Sequence, residues 1–321
     1  MNKKYITIIG NGKLSKSLFL GFIASGIKNI LVVNRKWKEE DVKFFKKFGD
    51  SVELSDSLEN LSTENLILVV LPTGAGTVLK QILAQKPRYN NLISFISGLR
   101  QNKIMEILGT NYHSTIIATT NTNIQNRVGI TCILNTANKT VFPLLEKIGK
   151  VIVENTEEEI TTSIMSIGSM NAFDAQALKI IYESFKIEEG IKLHKWLGLL
   201  KISLFTSKCI YPSHSMFLKY LEEKNKALKK FNGKYESLKR HLLTAESTVN
   251  MLLSMDDDIN INHIDDLIST VVTKNGCTEK GINQLDNIDA FINSNKLENI
   301  FTAVHDRAIK FCEDVEKSLL I

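Results

Sequence analysis

The chain has 321 residues, 40 basic and 35 acidic side chains and a formal charge of +5, and 43% of its residues are hydrophobic. The length allows about two domains of roughly 100–200 residues each, and ordinary apolar and charged fractions exclude a disordered or fibrous protein. The small charge is spread over stretches in which lysine alternates with acids, so no nucleic-acid or membrane-surface binding is indicated.

No apolar run reaches the ~18 residues that span a bilayer, and the first run, residues 5–9, is shorter than the ~7–15-residue core of a signal peptide. The four cysteines have no ligand spacing, which predicts reduced thiols in a cytoplasmic protein without a metal site; they are Cys132, Cys209, Cys277 and Cys312. Only 4 prolines occur, against the roughly 16 that ~5% usage would give. Codon bias accounts for that total.

The first half alternates short apolar runs with helical patterns. Residues 5–9 precede a glycine turn and a helix that Gly26 ends, and further runs lie at residues 30–33, 66–71, 92–96 and 114–117. Continuous apolar strands between helices predict a doubly wound, mainly parallel α/β sheet of the Rossmann type. We assign it to residues 1–155, with its ligand at the carboxyl ends of the strands.

The first strand-to-helix turn is the predicted phosphate site. Glycines let the backbone approach a pyrophosphate, and a helix N-terminus presents unpaired N–H groups. The alternative is a purely structural turn, and Ser15 is small enough for close helix–strand packing in place of the usual third glycine. The predicted cofactor-binding residues here are Gly10, Asn11, Gly12, Lys13 and Leu14.

The end of the second strand indicates which nicotinamide cofactor binds. An NAD-selective site usually has a carboxylate there, on the ribose 2′-hydroxyl. This chain has Asn34, Arg35 and Lys36, and cations would hold a 2′-phosphate. NADPH is therefore predicted, with NADH possible. The alternative is that the cations only begin a solvated helix.

After an apolar run at residues 151–154 the strand signals fade, and the second half reads as helical. One long helix over residues 157–187, with Ile160, Ile164 and Ile167 on one face, precedes helices at roughly 189–211, 215–243 and 286–319. We predict an all-α dimerisation and substrate domain over residues 156–321, with an extra segment at about 212–268. Its apolar faces predict a homodimer or higher homo-oligomer.

Three polar features of the chain are interpreted as structural. The charged segment 219–241 is read as a solvated helical face rather than a partner-binding surface. Residues 256–258, three consecutive aspartates, are read as a solvated turn rather than a metal site. The six histidines are read as surface or packing residues, and His214 is the one to test for an acid role.

Six segments in order resemble the pyrroline-5-carboxylate reductase family over most of the chain. They are similar to that family's IGxGxM…ASG opening, VKP strand end, VSIAAG turn, RxMPNTP…GxT segment, GSGPAY helix start and VxSPGGTTxxG turn. In this chain they fall at residues 9–26, 68–72, 93–98, 118–131, 168–173 and 272–281.

The resemblance implies hydride transfer to the C=N carbon of a cyclic imino acid, most simply pyrroline-5-carboxylate to proline. It implies that Asn121 lies near the nicotinamide and that Leu71 and Pro72 line the cofactor, whereas plain loop packing is the alternative for Asn121. It also places the substrate carboxylate in one turn, with Thr278 as the catalytic residue. The implied substrate-binding residues are Thr273, Gly276, Cys277 and Thr278. A helix N-cap is the compatible structural role of that turn.

The departures from the family pattern bear on the substrate. Positions that are normally proline hold other residues here, namely Thr120, Asn123, Asn171 and Lys274; Met170 and Asn275 replace glycines, and Leu71 replaces a lysine. Loss of a fixed φ predicts loosened or reshaped loops. Two alternatives therefore stay open: a related oxidoreductase with another imine or keto substrate, and a non-catalytic nucleotide-binding relative that acts through its helical dimer surface.

Overall fold

The computed structural model describes residues 4–110, 114–134, 140–163, 167–168, 170–206, 208–232, 238–255, 258–272 and 277–319. The chain divides into two compact units, residues 1–161 together with 309–321, and residues 162–308. The end of the chain thus groups with the first unit, which nothing in the sequence indicated.

The first unit is built on one sheet, which has eight strands in the described part of the chain and the order β3-β2-β1-β4-β5-β6-β7-β8. Every neighbouring pair is parallel except β6 and β7. The strands are β1 (Lys4–Ile9), β2 (Ile30–Val33), β3 (Val52–Ser55), β4 (Ser62–Leu68), β5 (Arg88–Ser94), β6 (Thr115–Thr120), β7 (Gly129–Leu134) and β8 (Gly149–Glu154). The predicted mainly parallel Rossmann sheet is confirmed, whereas β3 and β7 were not predicted as strands.

Several interior strands of the sheet are buried along their whole length, as this architecture requires. All residues of β2, β6 and β7 are buried, as expected for strands covered on both faces. Ile6 and Ile8 of β1 share a core with Phe19 and Phe22, and each such side chain contributes about 1.5–3 kcal/mol through burial. The helices of this unit are α1 (Lys13–Ala24), α2 (Glu39–Lys46), α3 (Ala75–Gln85), α4 (Gln101–Leu108) and α5 (Phe142–Glu146), and α6 (Glu157–Ser163) crosses the division between the units.

The second unit is helical throughout its described elements, which confirms the predicted change of architecture. Its helices are α7 (Met170–Glu189), α8 (Leu193–Thr206), α9 (Pro212–Asn232), α10 (Leu238–Leu253), α11 (Ile261–Val271), α12 (Cys277–Ile282), α13 (Ile288–Phe291) and most of α14 (Ser294–Leu319). Of the single helix predicted over 157–187, the described residues form α6 and α7 and, between them, residues 167–168 in π-helical conformation, so its continuity stays a prediction. Ile164 lies outside the described residues. The described part of the helix predicted over 215–243 belongs to α9 and α10, and residues 233–237 lie outside the described residues.

The interpretation of segment 219–241 as a solvated face is wrong in part. Tyr220 and Lys224 of α9 are fully buried. Both contact Asp174 of α7: Lys224 Nζ lies 2.5 Å from Asp174 Oδ1, and Tyr220 Oη donates to the same oxygen at 3.0 Å. His241 is fully buried as well. Only the opposite face of α9 is solvated.

Candidate cofactor site

Gly10 is a glycine because the fold requires one. Its φ is +118°, and a Cβ added there would lie 2.1 Å from the carbonyl oxygen of Val69. Its N–H donates to Val33 O at 2.9 Å. The end of β1 is therefore held against the ends of both neighbouring strands, β2 and β4, in a conformation that L side chains rarely adopt.

Gly12, two residues later, faces open space instead. It is exposed and precedes the first residue of α1, and a Cβ added there would meet no atom of the described residues within 4 Å. No side chain caps this helix in the described part of the chain. Gly12 thus leaves open space before the first turn of α1, which contains Lys13 and Leu14, and the N–H groups of a helix N-terminus favour an anion.

Two side chains fasten this turn to the rest of the unit. Ser15, which is buried, has its hydroxyl 3.3 Å from Val69 O, so its small size allows the predicted close packing. Asn11 Nδ2 donates to Asp41 Oδ2 at 2.7 Å, and Lys16 Nζ lies 2.6 Å from Asp41 Oδ1. Asp41 is itself buried. Sequence reasoning missed Asp41 and Lys16, because a carboxylate within a charged helix pattern gives no sign of what it contacts.

The turn after β2 presents the two predicted cations to solvent. Asn34 N donates to Ser55 O at 3.0 Å, and Asn34 Nδ2 donates to Lys36 O at 2.5 Å. Arg35 and Lys36 are exposed, and neither pairs with a carboxylate of any residue that the structure describes. The backbone of the turn is thereby fixed, while both charges remain available to an anion.

Leu71 and Pro72 follow β4, which pairs with β1. The Leu71 side chain is 65% exposed, whereas Pro72 is buried and begins the 3-10 turn Pro72–Gly74 that leads into α3. An exposed leucine at the carboxyl edge of the sheet offers an apolar surface beside the glycine turn.

Asn121 follows β6 and is 1% exposed. Its Oδ1 accepts from Ile130 N at 3.4 Å, while its Nδ2 has no hydrogen-bond partner among the described residues. A buried amide donor without an acceptor is costly, so this group fits a site that a ligand completes. The neighbouring Thr120, in a position normally proline, is held by hydrogen bonds to Ile130 O at 2.8 Å and Thr131 Oγ1 at 2.9 Å. This turn is therefore anchored rather than loosened.

The sheet order places these groups along one edge. β2, β1 and β4 are adjacent, and β6 lies two strands beyond β4, so the carboxyl ends of these strands carry all the predicted cofactor residues. The open space at Gly12, the exposed cations and the Asn121 amide, which lacks an acceptor among the described residues, are compatible with a nicotinamide dinucleotide.

The predicted substrate turn is described only in part. Thr273 and Gly276 lie outside the described residues, as do Lys274 and Asn275. Cys277 begins α12, and its side chain also lies outside them. Thr278 is buried in the first turn of α12, within the second unit. It is therefore inside the helix rather than before it, as an N-cap would be.

The described residues contain neither a candidate membrane-spanning helix nor a candidate metal-binding cluster. None of their helices combines the length and apolar character needed to cross a membrane. No three of their His, Cys, Asp or Glu side chains are grouped so that they could hold a metal ion.

Parts of this chain are similar in sequence to known proteins. Residues 5–98 match the family described as NADP oxidoreductase, coenzyme F420-dependent. Pyrroline-5-carboxylate reductase 2 of Dictyostelium discoideum is 30% identical over 141 residues, which are 42% of this chain and 46% of that protein. The chain thus matches less than half the length of this curated relative.

A solved structure shares the fold of this chain. The pyrroline carboxylate reductase of Plasmodium falciparum, solved with NADP bound, has a TM-score of 0.53 and 16% identity, covering 98% of this chain and 99% of that one. A pyrroline-5-carboxylate reductase of Coxiella burnetii has a TM-score of 0.46 and 20% identity over 98% and 99% of the two chains. The chain is therefore similar to an NADP oxidoreductase family over residues 5–98 and to a pyrroline-5-carboxylate reductase over 141 residues.

Proposed function

We propose that the chain is an NADPH-dependent reductase of a cyclic imino acid, converting pyrroline-5-carboxylate to proline. The observation that carries the cofactor half of this proposal is the pair of glycines in the first turn. Gly10 is required by the protein, whereas Gly12 has no neighbouring atom among the described residues and so has no steric reason to be glycine. Close approach of a pyrophosphate supplies that reason.

The choice of NADPH rests on Arg35 and Lys36. A 2′-phosphate accepts charge-assisted hydrogen bonds from guanidinium and ammonium groups, and these two are exposed at the end of β2. No carboxylate ends β2 to bind a ribose 2′-hydroxyl in the way that NAD-selective sites use.

The cofactor, when bound, supplies a hydride to the substrate. The chain's own residues would bind and orient: the α1 N-terminus holds phosphate oxygens, Leu71 provides an apolar surface, and Asn121 Nδ2 donates a hydrogen bond from a buried position. A protonated imine is already a good electrophile, so positioning and neutralisation of the substrate carboxylate would carry most of the rate.

For the substrate carboxylate we propose the turn that contains Thr273, Gly276, Cys277 and Thr278, with the Thr278 hydroxyl as the catalytic group. This assignment comes from the family resemblance, and the buried position of Thr278 in the first turn of α12 supports it, because a helix N-terminus favours an anion. The changed positions Thr120 and Asn171 favour, as the second candidate, a related reductase with another imine or keto substrate.

We further propose a cytoplasmic homodimer or higher homo-oligomer that forms through the helical unit. Ile202 and Phe205 of α8 support this, since they lie one turn apart and are 51% and 63% exposed. Large apolar side chains grouped on a helix surface are typical of subunit interfaces.

The cofactor half is tested by titrating NADPH into the wild type and into Gly12→Ala. The added methyl meets no described atom, so the melting temperature should be unchanged, while the Kd for NADPH rises at least about tenfold. Gly198→Ala is the matched control, because this helical glycine of α8 is also in open space and its replacement should leave the Kd unchanged. Equal affinity of Gly12→Ala and the wild type would contradict the proposed pyrophosphate site.

The substrate half is tested by following NADPH absorbance with pyrroline-5-carboxylate. Thr278→Ala should raise the KM for the imino acid and leave the Kd for NADPH unchanged. NADPH binding without oxidation would refute this substrate and favour the second candidate, which a panel of cyclic imines and keto acids then tests. Absence of binding would leave a non-catalytic relative.

A further inference from the structure

The last helix ends against the first unit. α14 runs without interruption to Leu319, and from Ile309 onward it belongs to the compact unit that contains the sheet. Val315 is buried, and Cys312, Ser318 and Leu319 are partly buried, whereas Glu313, Glu316 and Lys317 are exposed. The spacing of three and four residues shows that one face of this helix end is packed.

Ser318 caps the N-terminus of α3, which has no capping side chain at its own N-cap position. α3 begins after Gly74, which has no side chain to cap the helix. The N–H of Gly76, in the first turn, donates to Ser318 Oγ at 3.2 Å, and the Ser318 hydroxyl donates to Val315 O at 2.7 Å. One of the N–H groups that every helix N-terminus leaves without an intrahelical partner is thus satisfied from 242 residues away in the chain.

Two glycines make room for this contact. A Cβ on Gly76 would lie 1.8 Å from the carbonyl oxygen of Ser318, and a Cβ on Gly98 would lie 2.9 Å from Cys312 Cα. Gly76 lies inside a helix, where any residue fits the backbone, so its lack of a side chain is explained by α14 alone. Gly76 and Gly98 follow β4 and β5, which places the helix end across the carboxyl ends of two neighbouring strands.

We propose that the end of α14 positions the segment after β4 for the cofactor, with Ser318 as the positioning residue. Leu71, the 3-10 turn Pro72–Gly74 and the first turn of α3 form one continuous path, so fixing Gly76 limits the movement of the exposed Leu71 side chain. This inference rests on the proposed cofactor site. The contact itself can be tested without any nucleotide.

The test compares the full chain, Ser318→Ala, Gly76→Ala, a chain ending at Glu316, and that shortened chain carrying Gly76→Ala. Amide hydrogen exchange over residues 69–80 measures the docking. Exchange should quicken in Ser318→Ala and more in the shortened chain, and the Kd for NADPH should rise about fivefold in Ser318→Ala, the effect of losing a helix cap. Lys317→Ala, at an exposed neighbour, is the control that should change neither.

The Gly76 comparison is decisive. Gly76→Ala should weaken NADPH binding in the full chain and have no further effect in the shortened chain, because the clashing carbonyl is gone. An equal loss in both backgrounds, or unchanged exchange in the shortened chain, would overturn the inference. Ser318→Thr keeps the hydroxyl and should restore the KM for NADPH, which loss of helix packing alone would not predict. If no variant and no wild type binds NADPH, the cofactor proposal fails, while altered exchange still establishes the contact.

Discussion

Two sets of charged groups, one in each unit, differ in their surroundings. In the first unit, Arg35 and Lys36 stand exposed at the carboxyl edge of a sheet whose strands are apolar. In the second unit, Lys224 and Asp174 lie fully buried between α9 and α7, with Tyr220 on the same carboxylate. Charges at the edge are free to meet a ligand, whereas the buried pair is already occupied with its own contacts.

Charged residues thus have two different roles, one at the solvated sheet edge and one in the buried interior. A charge at the sheet edge costs the fold little, because water solvates it until a ligand binds. A buried ion pair loses that solvation, and each partner depends on the other to offset the cost. We therefore expect edge substitutions to change cofactor affinity and interior substitutions to change stability.

The largest effect is expected from Lys224→Ala. Removing the ammonium leaves the Asp174 carboxylate buried without its cation, and one of its oxygens, Oδ2, already lacks a hydrogen-bond partner among the described residues. Loss of one partner of a buried pair costs about 3–5 kcal/mol. Urea unfolding followed by circular dichroism should show this loss in the helical unit.

Lys179→Ala is the matched control in the same unit. Lys179 pairs with Asp265 at 2.6 Å, but the two side chains are 23% and 49% exposed, and a solvated pair contributes about 0–1 kcal/mol. Combining Lys224→Met with Asp174→Leu should recover much of the stability, because no buried charge remains. Equal effects of Lys224→Ala and Lys179→Ala would show that burial does not decide the outcome.

This division also explains what could be predicted from the sequence. Residues that follow an apolar strand lie at the sheet edge whatever the packing, so Gly10, Gly12 and Arg35 could be located from order alone. The Lys224–Asp174 contact joins two residues that are 50 positions apart in the chain, and helical periodicity does not say which helix faces pack together. The contact between Ser318 and Gly76 joins residues that are still further apart in the chain, by 242 positions. The strands β3 and β7 were missed because their patterns are short or were absorbed into family motifs.

The second-largest effect is expected in the unfolding free energy of the helical unit at alkaline pH. Burial, then the Asp174 charge and hydrogen bond, raises the pKa of Tyr220 well above 10. A raised pKa in the folded state means that the stabilising contribution is complete below the unfolded value of about 10 and is lost as the pH rises toward the folded value. Stability of the helical unit should therefore fall above about pH 10. Tyr220→Phe should lose about 1.5–3 kcal/mol at neutral pH through its missing hydrogen bond to a carboxylate and fall less steeply above pH 10.

Urea midpoints between pH 8 and 11.5 measure this slope. Tyr182→Phe provides the comparison, because burial raises the pKa of Tyr182 too, but its hydroxyl donates to the Ile191 carbonyl rather than to a charge. An unchanged slope in Tyr220→Phe would mean that other groups govern alkaline unfolding.

The smallest effect should come from Arg35→Ala and Lys36→Ala. Each removes a solvated cation from the sheet edge, so unfolding free energy should be unchanged within about 0.5 kcal/mol. The Kd for NADPH should rise about tenfold, the loss of one charge-assisted hydrogen bond, while the Kd for NADH stays constant, and added salt should shrink the difference. Lys38→Ala is the control, since Lys38 is also exposed but its Nζ lies 3.6 Å from Glu40 Oε1. An equal rise in the Kd for NADPH and in the Kd for NADH would show that these cations do not bind the 2′-phosphate. A loss of stability would show instead that the edge cations support the fold, which would end the distinction between the two regions.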